Sequence, residues 1–331
     1  MQEILYALLQ RAQEYQTPDI HFIPQPEFYE ISIRTSLGLK IIDQLDKQTA
    51  QRFLNYIKFE SHLNVGERRL PQSGTLYFEY KELSVTLRLS TITNFQGDES
   101  LVIRIHQNKS ADSFQSLYDS DIKYLEKLFR LKSGLILFSG PVASGKTTTL
   151  YYFLNQVFRS HPLQIITMED PVEIHVPHFL QTEVNHQAGI TYDVLIKSAL
   201  RHHPDIILIG EVRDSETAQM MIRAALTGHL VLATIHAKNT VGVLNRLMEL
   251  GVSKQQLVQS LIAVTAQRLV PLKSSAHKKA VIFERMTGTE VEDYLIHHKP
   301  LKEERQLNAK LQQAVKENLI DSTTRDIFQL V

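Results

Sequence analysis

Gly140-Pro141-Val142-Ala143-Ser144-Gly145-Lys146-Thr147 is the stretch that decides how the rest of the chain reads. It fits G-x-x-x-x-G-K-[ST] at every fixed position, with the apolar run Leu135–Ser139 before it and a helical pattern over Lys146–Arg159 after it. Phosphate binding needs that order of elements. Glycines let the main chain bend so that successive N–H groups converge on phosphate oxygens, and the helix N-terminus adds a positive partial charge. Gly140, Pro141, Val142, Ala143, Ser144, Gly145, Lys146, Thr147 and Thr148 are therefore the expected cradle for ATP. Lys146 is expected to reach the β- and γ-phosphates, and the Thr147 hydroxyl to ligate Mg²⁺.

Working outward, apolar runs alternate with helical patterns. Leu135–Ser139, Gln164–Met168, Ile206–Ile209 and Leu230–Thr234 are hydrophobic almost throughout, as strands buried on both faces of a parallel sheet must be. Lys146–Arg159, Tyr192–Arg201, Ser215–Thr227, Val241–Leu250 and Lys254–Arg268 read as helices, the last opened by a Ser253/Gln256 capping box. This is an α/β domain of doubly wound type over 117–270. The polar remainder, 271–331, reads as a helical C-terminal region.

In an open α/β sheet the ligand meets the carboxyl ends of the strands. Glu169 and Asp170 follow one strand; Glu211, Arg213 and Asp214 follow another. Glu169 is assigned to polarising the attacking water and Glu211 to the Mg²⁺ shell, with an exchange of the two roles left open. Asp170 and Glu173 are read as supporting acids. His229 and His236 bracket the strand at 230–235, about 23 Å apart at ~3.3 Å per residue, so only one of them can meet the γ-phosphate. His236, at the carboxyl end, is the candidate sensor; His229 is assigned to a neighbouring element or subunit.

Upstream, Ile4, Leu5, Leu8, Leu9 and Ala12 make an apolar stripe over a helix at 2–15. Strand-like runs at Ile20–Ile23, Tyr29–Arg34, Thr75–Tyr80, Ser84–Leu89 and Leu101–Ile105, with a helix at Lys47–Phe59 and turns at Pro71, Gly74 and Gly97, read as a small α+β domain over 1–106. Residues 107–116 read as a linker. The 36 Lys and Arg balance the 36 Asp and Glu, which argues against a nucleic-acid binder. No cysteine is present, so disulfides and thiolate metal sites are excluded. Glu3, Gln10, Arg11 and Glu14 interrupt the first fifteen residues, and no apolar run approaches the ~20 residues of a membrane span. A cytoplasmic protein is expected.

Several separated segments together resemble the type II/IV secretion and pilus-assembly ATPases over about 17–270. Thr17–Phe22 is similar to the family's S-D-I-H segment, and Pro71-Gln72-Ser73-Gly74 to its P-Q-D-G-R turn. Arg88 and Arg104 lie where its arginine-bearing strands lie. Gly140–Thr147 matches its Walker A, Thr167–Glu173 its Asp box, Leu200–Asp214 its Walker B segment, Thr227–Ala237 its His box, and Gln267-Arg268-Leu269 the usual end of the core. The resemblance implies a RecA-like P-loop ATPase core, a PAS-like N-terminal domain and a homo-hexamer with nucleotide at subunit interfaces, where Arg88 and Arg104 act as arginine fingers on the adjacent chain.

The chain departs from that pattern in places. His203 stands where the family often has Asp, and Ser73 and Thr75 replace Asp and Arg of the turn. The four-cysteine zinc module is replaced by the polar Lys273–Lys279, so no zinc is expected, and the extra N-terminal domain of the type II secretion enzymes is not expected either. Size, missing zinc module and the P-Q-S-G turn are most similar to the competence-pseudopilus branch. The resemblance then implies a motor at the cytoplasmic face of the membrane, held there by an inner-membrane platform protein, with the 1–106 domain swinging about a hinge at 112–116. The rival readings are a retraction or type II secretion motor, a RecA-like nucleic-acid translocase, and a nucleotide-gated scaffold.

Overall fold

The computed structural model of the chain describes residues 1–330 except 16, 18, 36, 37 and 107–113. Residues 107–113 of the sequence-predicted linker, and with them only 112 and 113 of the 112–116 hinge, therefore lie outside the described residues. Two units divide the chain, Met1–Lys109 and Ser110–Val331.

In the first unit, α1 (Gln2–Glu14) and α2 (Lys47–Glu60) pack on a six-stranded antiparallel sheet. Its strands are β1 (Asp19–Pro24), β2 (Phe28–Thr35), β3 (Gly38–Asp46), β4 (Gln72–Tyr80), β5 (Leu83–Thr93) and β6 (Glu99–His106), in the order β3-β2-β1-β6-β5-β4. Leu5, Leu8 and Leu9 of α1 meet Phe53 and Ile57 of α2 over Ile20, Phe22, Leu87 and Ile103. Strand alternation puts Leu87 and Leu89 in this core and leaves Arg88 on the opposite face. Pro71–Gly74, read from sequence as a turn, is strand from Gln72 on: Gln72, Ser73 and Gly74 open β4 and pair with β5, and Gly74 is set there against the Leu63 side chain.

The second unit is built on a seven-stranded sheet. Its strands are β7 (Gly134–Ser139), β8 (Ile165–Glu169), β9 (Leu180–Glu183), β10 (Ile206–Ile209), β11 (Leu230–Ile235), β12 (Leu261–Leu272) and β13 (Ser275–Thr287). They are ordered β13-β12-β7-β11-β10-β8-β9, parallel except for β13. α3 (Asp119–Leu128) and α4 (Lys146–Ser160) cover one face; α5 (Tyr192–Ala199), α6 (Ser215–Leu226), α7 (Thr240–Glu249) and α8 (Lys254–Ser260) cover the other. The chain ends in α9 (Gly288–Leu295), α10 (Leu307–Lys316) and α11 (Ser322–Phe328).

Two sequence-based expectations fail here. The helix expected over 254–268 stops at Ser260, and 261–272 is a strand. Residues 271–331 are not helical throughout, because 275–287 pair antiparallel with β12. Burial on both faces erases the alternation that separates strand from helix, so the apolar run from Leu261 is ambiguous until β7 supplies its partner.

Asp121 of α3 is fully buried and ties α10 to β13. Lys310 Nζ of α10 lies 3.2 Å from its Oδ1, and Arg285 Nε of β13 lies 3.1 Å away as an ion pair without hydrogen-bond alignment. Removing one side of such a cluster strands buried cations at a cost of about 3–5 kcal/mol. Asp121→Ala should accordingly speed amide hydrogen exchange in α10 by roughly 100-fold; unchanged exchange would remove the cluster from the account.

Candidate active site

The parallel register brings four strand ends to one edge. Ile235 of β11 is level with Ser139 of β7, Ile209 of β10 with Ala233, and Met168 of β8 with Ile209. Glu169 therefore ends β8, and Glu211 and His236 follow β10 and β11, at the edge where the loop Gly140–Gly145 leaves β7.

The loop's glycines are there for steric reasons. Gly140 has φ +151°, and a Cβ on it would stand 2.6 Å from both Gln267 O and Ser144 Oγ. Gly145, at φ +84°, caps α4 in the left-handed region that L side chains rarely adopt. Lys146 Nζ donates to Gly140 O at 2.9 Å and Pro141 O at 3.1 Å, which folds the lysine over the loop. Burial lowers the Lys146 pKa, opposed by the charges of Glu211 and then Glu173. Thr147 and Thr148 are half-buried in the first turn of α4, and Val142 is exposed at the loop's tip.

Glu211 is the hub of the acidic side. Its Oε1 lies 3.2 Å from His236 Nε2, and its Oε2 accepts from Arg213 Nε at 2.8 Å. Arg213 also reaches Asp170 Oδ2 at 3.3 Å. Glu169 is placed differently. It is 4% exposed, and its Oε1 accepts hydrogen bonds from Tyr151 Oη of α4 and, at 2.7 Å, from Thr167 Oγ1. Gln181 of β9 donates to the same Tyr151 oxygen at 2.7 Å. Burial pushes the Glu169 pKa up from 4.5 to about 7, although the Tyr151 and Thr167 hydrogen bonds pull it down. His229 sits at the other end of β11, with Nδ1 3.2 Å from Thr227 Oγ1.

Among the described residues, no group of three His, Asp or Glu side chains is spaced to hold a metal ion alone. One hydroxyl, Thr147, and one carboxylate, Glu211, suit Mg²⁺, which takes few protein ligands and fills its shell with phosphate oxygens and water. In the first unit Arg88 and Arg104 are cross-strand partners, and Asp19 is next in line on β1. Arg104 Nε binds Asp19 Oδ1 at 2.7 Å while its side chain stays 57% exposed.

The sequence did not single out Tyr151, Gln181, Arg213 or Gln267 for a role. Gln267 had a signal: an amide inside the run Ala263–Val270 is buried, and a buried amide needs a partner. Tyr151 had none, being one aromatic among several on α4.

A family model described as type II/IV secretion system protein matches residues 1–328. The chain belongs to that family. Among curated relatives of this secretion family, competence protein ComGA of Streptococcus pneumoniae is 41% identical over 270 residues, 82% of this chain and 85% of its own length. The ComGA of Bacillus subtilis is 39% identical over 80% of this chain and 75% of its own length. Of solved structures, the pilus retraction motor PilT with bound ADP superposes with TM-score 0.80 at 22% identity, covering 98% of this chain and 96% of its own. The Legionella pneumophila ATPase DotB does so with TM-score 0.70 at 18% identity, covering 99% and 95%. These structures share the fold, so the RecA-like expectation holds for the core. The secretion-family chain is an ATPase. Among its described residues no helix is long and apolar enough to cross a membrane.

With its pKa raised, folded Glu169 keeps a proton that the unfolded chain releases between about pH 4.5 and 7. Its contribution to stability is thus present below that window and lost as pH rises through it, on the order of 3 kcal/mol. Unfolding free energies at pH 4.5 and 7.5 should fall more in the parent than in Glu169→Gln by that order; an identical pH slope in the two proteins would contradict this placement.

Proposed function

We propose that this ATPase powers assembly of a competence pseudopilus, the fibre used in DNA uptake, with Glu211 and His236 at the reacting end of its phosphate site. The observation that carries the mechanism is the Glu211–His236 pair at 3.2 Å on the strand-end edge shared with the phosphate loop. The identity with the ComGA proteins over most of both chains supports the competence role.

The loop's N–H groups and the α4 N-terminus bind the phosphates of ATP. Lys146 leaves its carbonyl partners and turns to the β- and γ-phosphates. Thr147 would hold Mg²⁺, with Glu211 reaching it through water; when bound there, the ion neutralises charge on the phosphate oxygens. Of the acids, Glu211 acts most strongly on the Lys146 ammonium. Besides reaching the ion through water, it takes the water-polarising role that the sequence reading gave to Glu169. Arg213 orients its carboxylate, and His236 stands ready to meet the γ-phosphate. Glu169, engaged with Tyr151 and Thr167, fastens α4 to β8 instead.

Arg88 and Arg104 serve an adjacent chain of a homo-hexamer. The two arginines stand directly opposite one another on β5 and β6, so one face of the sheet gathers positive charge that a neighbour's phosphates can receive. The ring works at the cytoplasmic face of the membrane, held there by a platform protein of the pilus machinery, and contacts no nucleic acid directly.

Glu211→Gln should lower kcat by roughly 100-fold or more, with ATP still bound, and Glu169→Gln by about tenfold or less. Cells carrying Glu211→Gln should take up no labelled DNA. Equal losses in the two variants would return Glu169 to the base role; normal DNA uptake would detach the ATPase from competence.

A further inference from the structure

We infer that Gln267 and Arg268, neighbours on β12, are positioning residues of the nucleotide site: Gln267 holds the phosphate loop and Arg268 holds the loop that carries His236. The inference rests on the phosphate-site reading above.

Gln267 is fully buried, and its Nε2 donates to Ser144 O at 2.7 Å and to Thr149 Oγ1 at 3.2 Å. Turning the amide over would set one acceptor, Oε1, against another, the Ser144 carbonyl, so the partners dictate its orientation. The main chain of the same residue crowds Gly140, where a Cβ would stand 2.6 Å from Gln267 O. One residue thus touches the loop's first glycine, its Ser144 carbonyl and the first turn of α4. Gln267 Oε1 and Ser144 Oγ are buried and have no hydrogen-bond partner among the described residues.

Arg268 is 7% exposed and spends its guanidinium on carbonyls. It donates to Lys238 O at 2.7 Å and to Gln267 O at 2.9 Å. Lys238 is two residues beyond His236. The intervening Ala237 is tied to the other side of the site, because Ser139 Oγ bonds both its carbonyl and its N–H, at 2.9 and 3.1 Å. Further on, Thr240 donates from N and Oγ1 to buried Glu284 Oε1, both at 2.7 Å. β12 is itself braced between β7 and β13. It is therefore a fixed bar from which adjacent side chains reach the two loops that carry Lys146 and His236.

The two ties should separate in kinetics. Releasing the phosphate loop weakens ground-state binding; releasing the His236 loop weakens what is held only during turnover. We expect Gln267→Leu to raise both KM and the Kd for ATP about tenfold with kcat within about twofold. Arg268→Leu should lower kcat about tenfold with Kd within about twofold, and Arg268→Lys, which retains a donor, should regain at least half of that loss.

The experiment measures Kd by equilibrium binding of a fluorescent ATP analogue, kcat and KM by phosphate release, and the unfolding midpoint without nucleotide. Should either leucine variant fail to fold, Gln267→Asn and Arg268→Lys decide on the same split, at about threefold. Binding and turnover falling together in step with the unfolding midpoint would overturn the inference, as would parental values in both variants. Lys146→Ala is run alongside. Normal ATP binding by Lys146→Ala overturns the phosphate-site reading itself, whereas normal binding by Gln267→Leu alone overturns only the positioning role.

Discussion

At Gly140 the main chain leaves β7 so close to β12 that a side-chain carbon there would lie 2.6 Å from the Gln267 carbonyl. That close approach leaves room only for glycine, whose φ of +151° carries the chain out of β7 into the loop. It also requires β12 to be a strand beside β7, because a helix in its place would not bring that carbonyl to the loop. With β7 fixed between β12 and β11, the parallel register sets His236 and Glu211 at the same edge. The geometry of the site is thus a consequence of strand order more than of any single side chain.

Electrostatics divide the two strand-end glutamates. Glu211 lies against Arg213 and His236, and its charge acts on the Lys146 ammonium. Glu169 is desolvated, which opposes its charge near neutral pH even though two hydroxyl groups donate to one of its oxygens. The same residue type one strand apart therefore stands in two different environments.

How much of this was legible depended on whether the signal was local. The phosphate loop, β7, β8, β10 and β11 read directly, because a glycine-bounded motif and short doubly buried strands are properties of contiguous residues. β3 went unread because Leu39 and Ile41 lie exposed among polar neighbours, and β9 because Leu180–Glu183 is short and mostly polar. β12 misled, since its apolar run fits either period until a partner strand is present. The Tyr151–Glu169 bond joins residues 18 apart and Gln267–Ser144 residues 123 apart, and no spacing rule reaches such pairs. Glu211 with His236 was half legible: the strand-end rule named both, but only strand order made them neighbours.

The central claim is that the bend at Gly140 grips a chain of phosphates. Calorimetric titration of the intact protein with ATP, ADP and AMP at fixed Mg²⁺ tests it most directly. The account predicts affinity that climbs with phosphate number and is lost for AMP. Equal affinity for all three would place recognition on the nucleoside and contradict it.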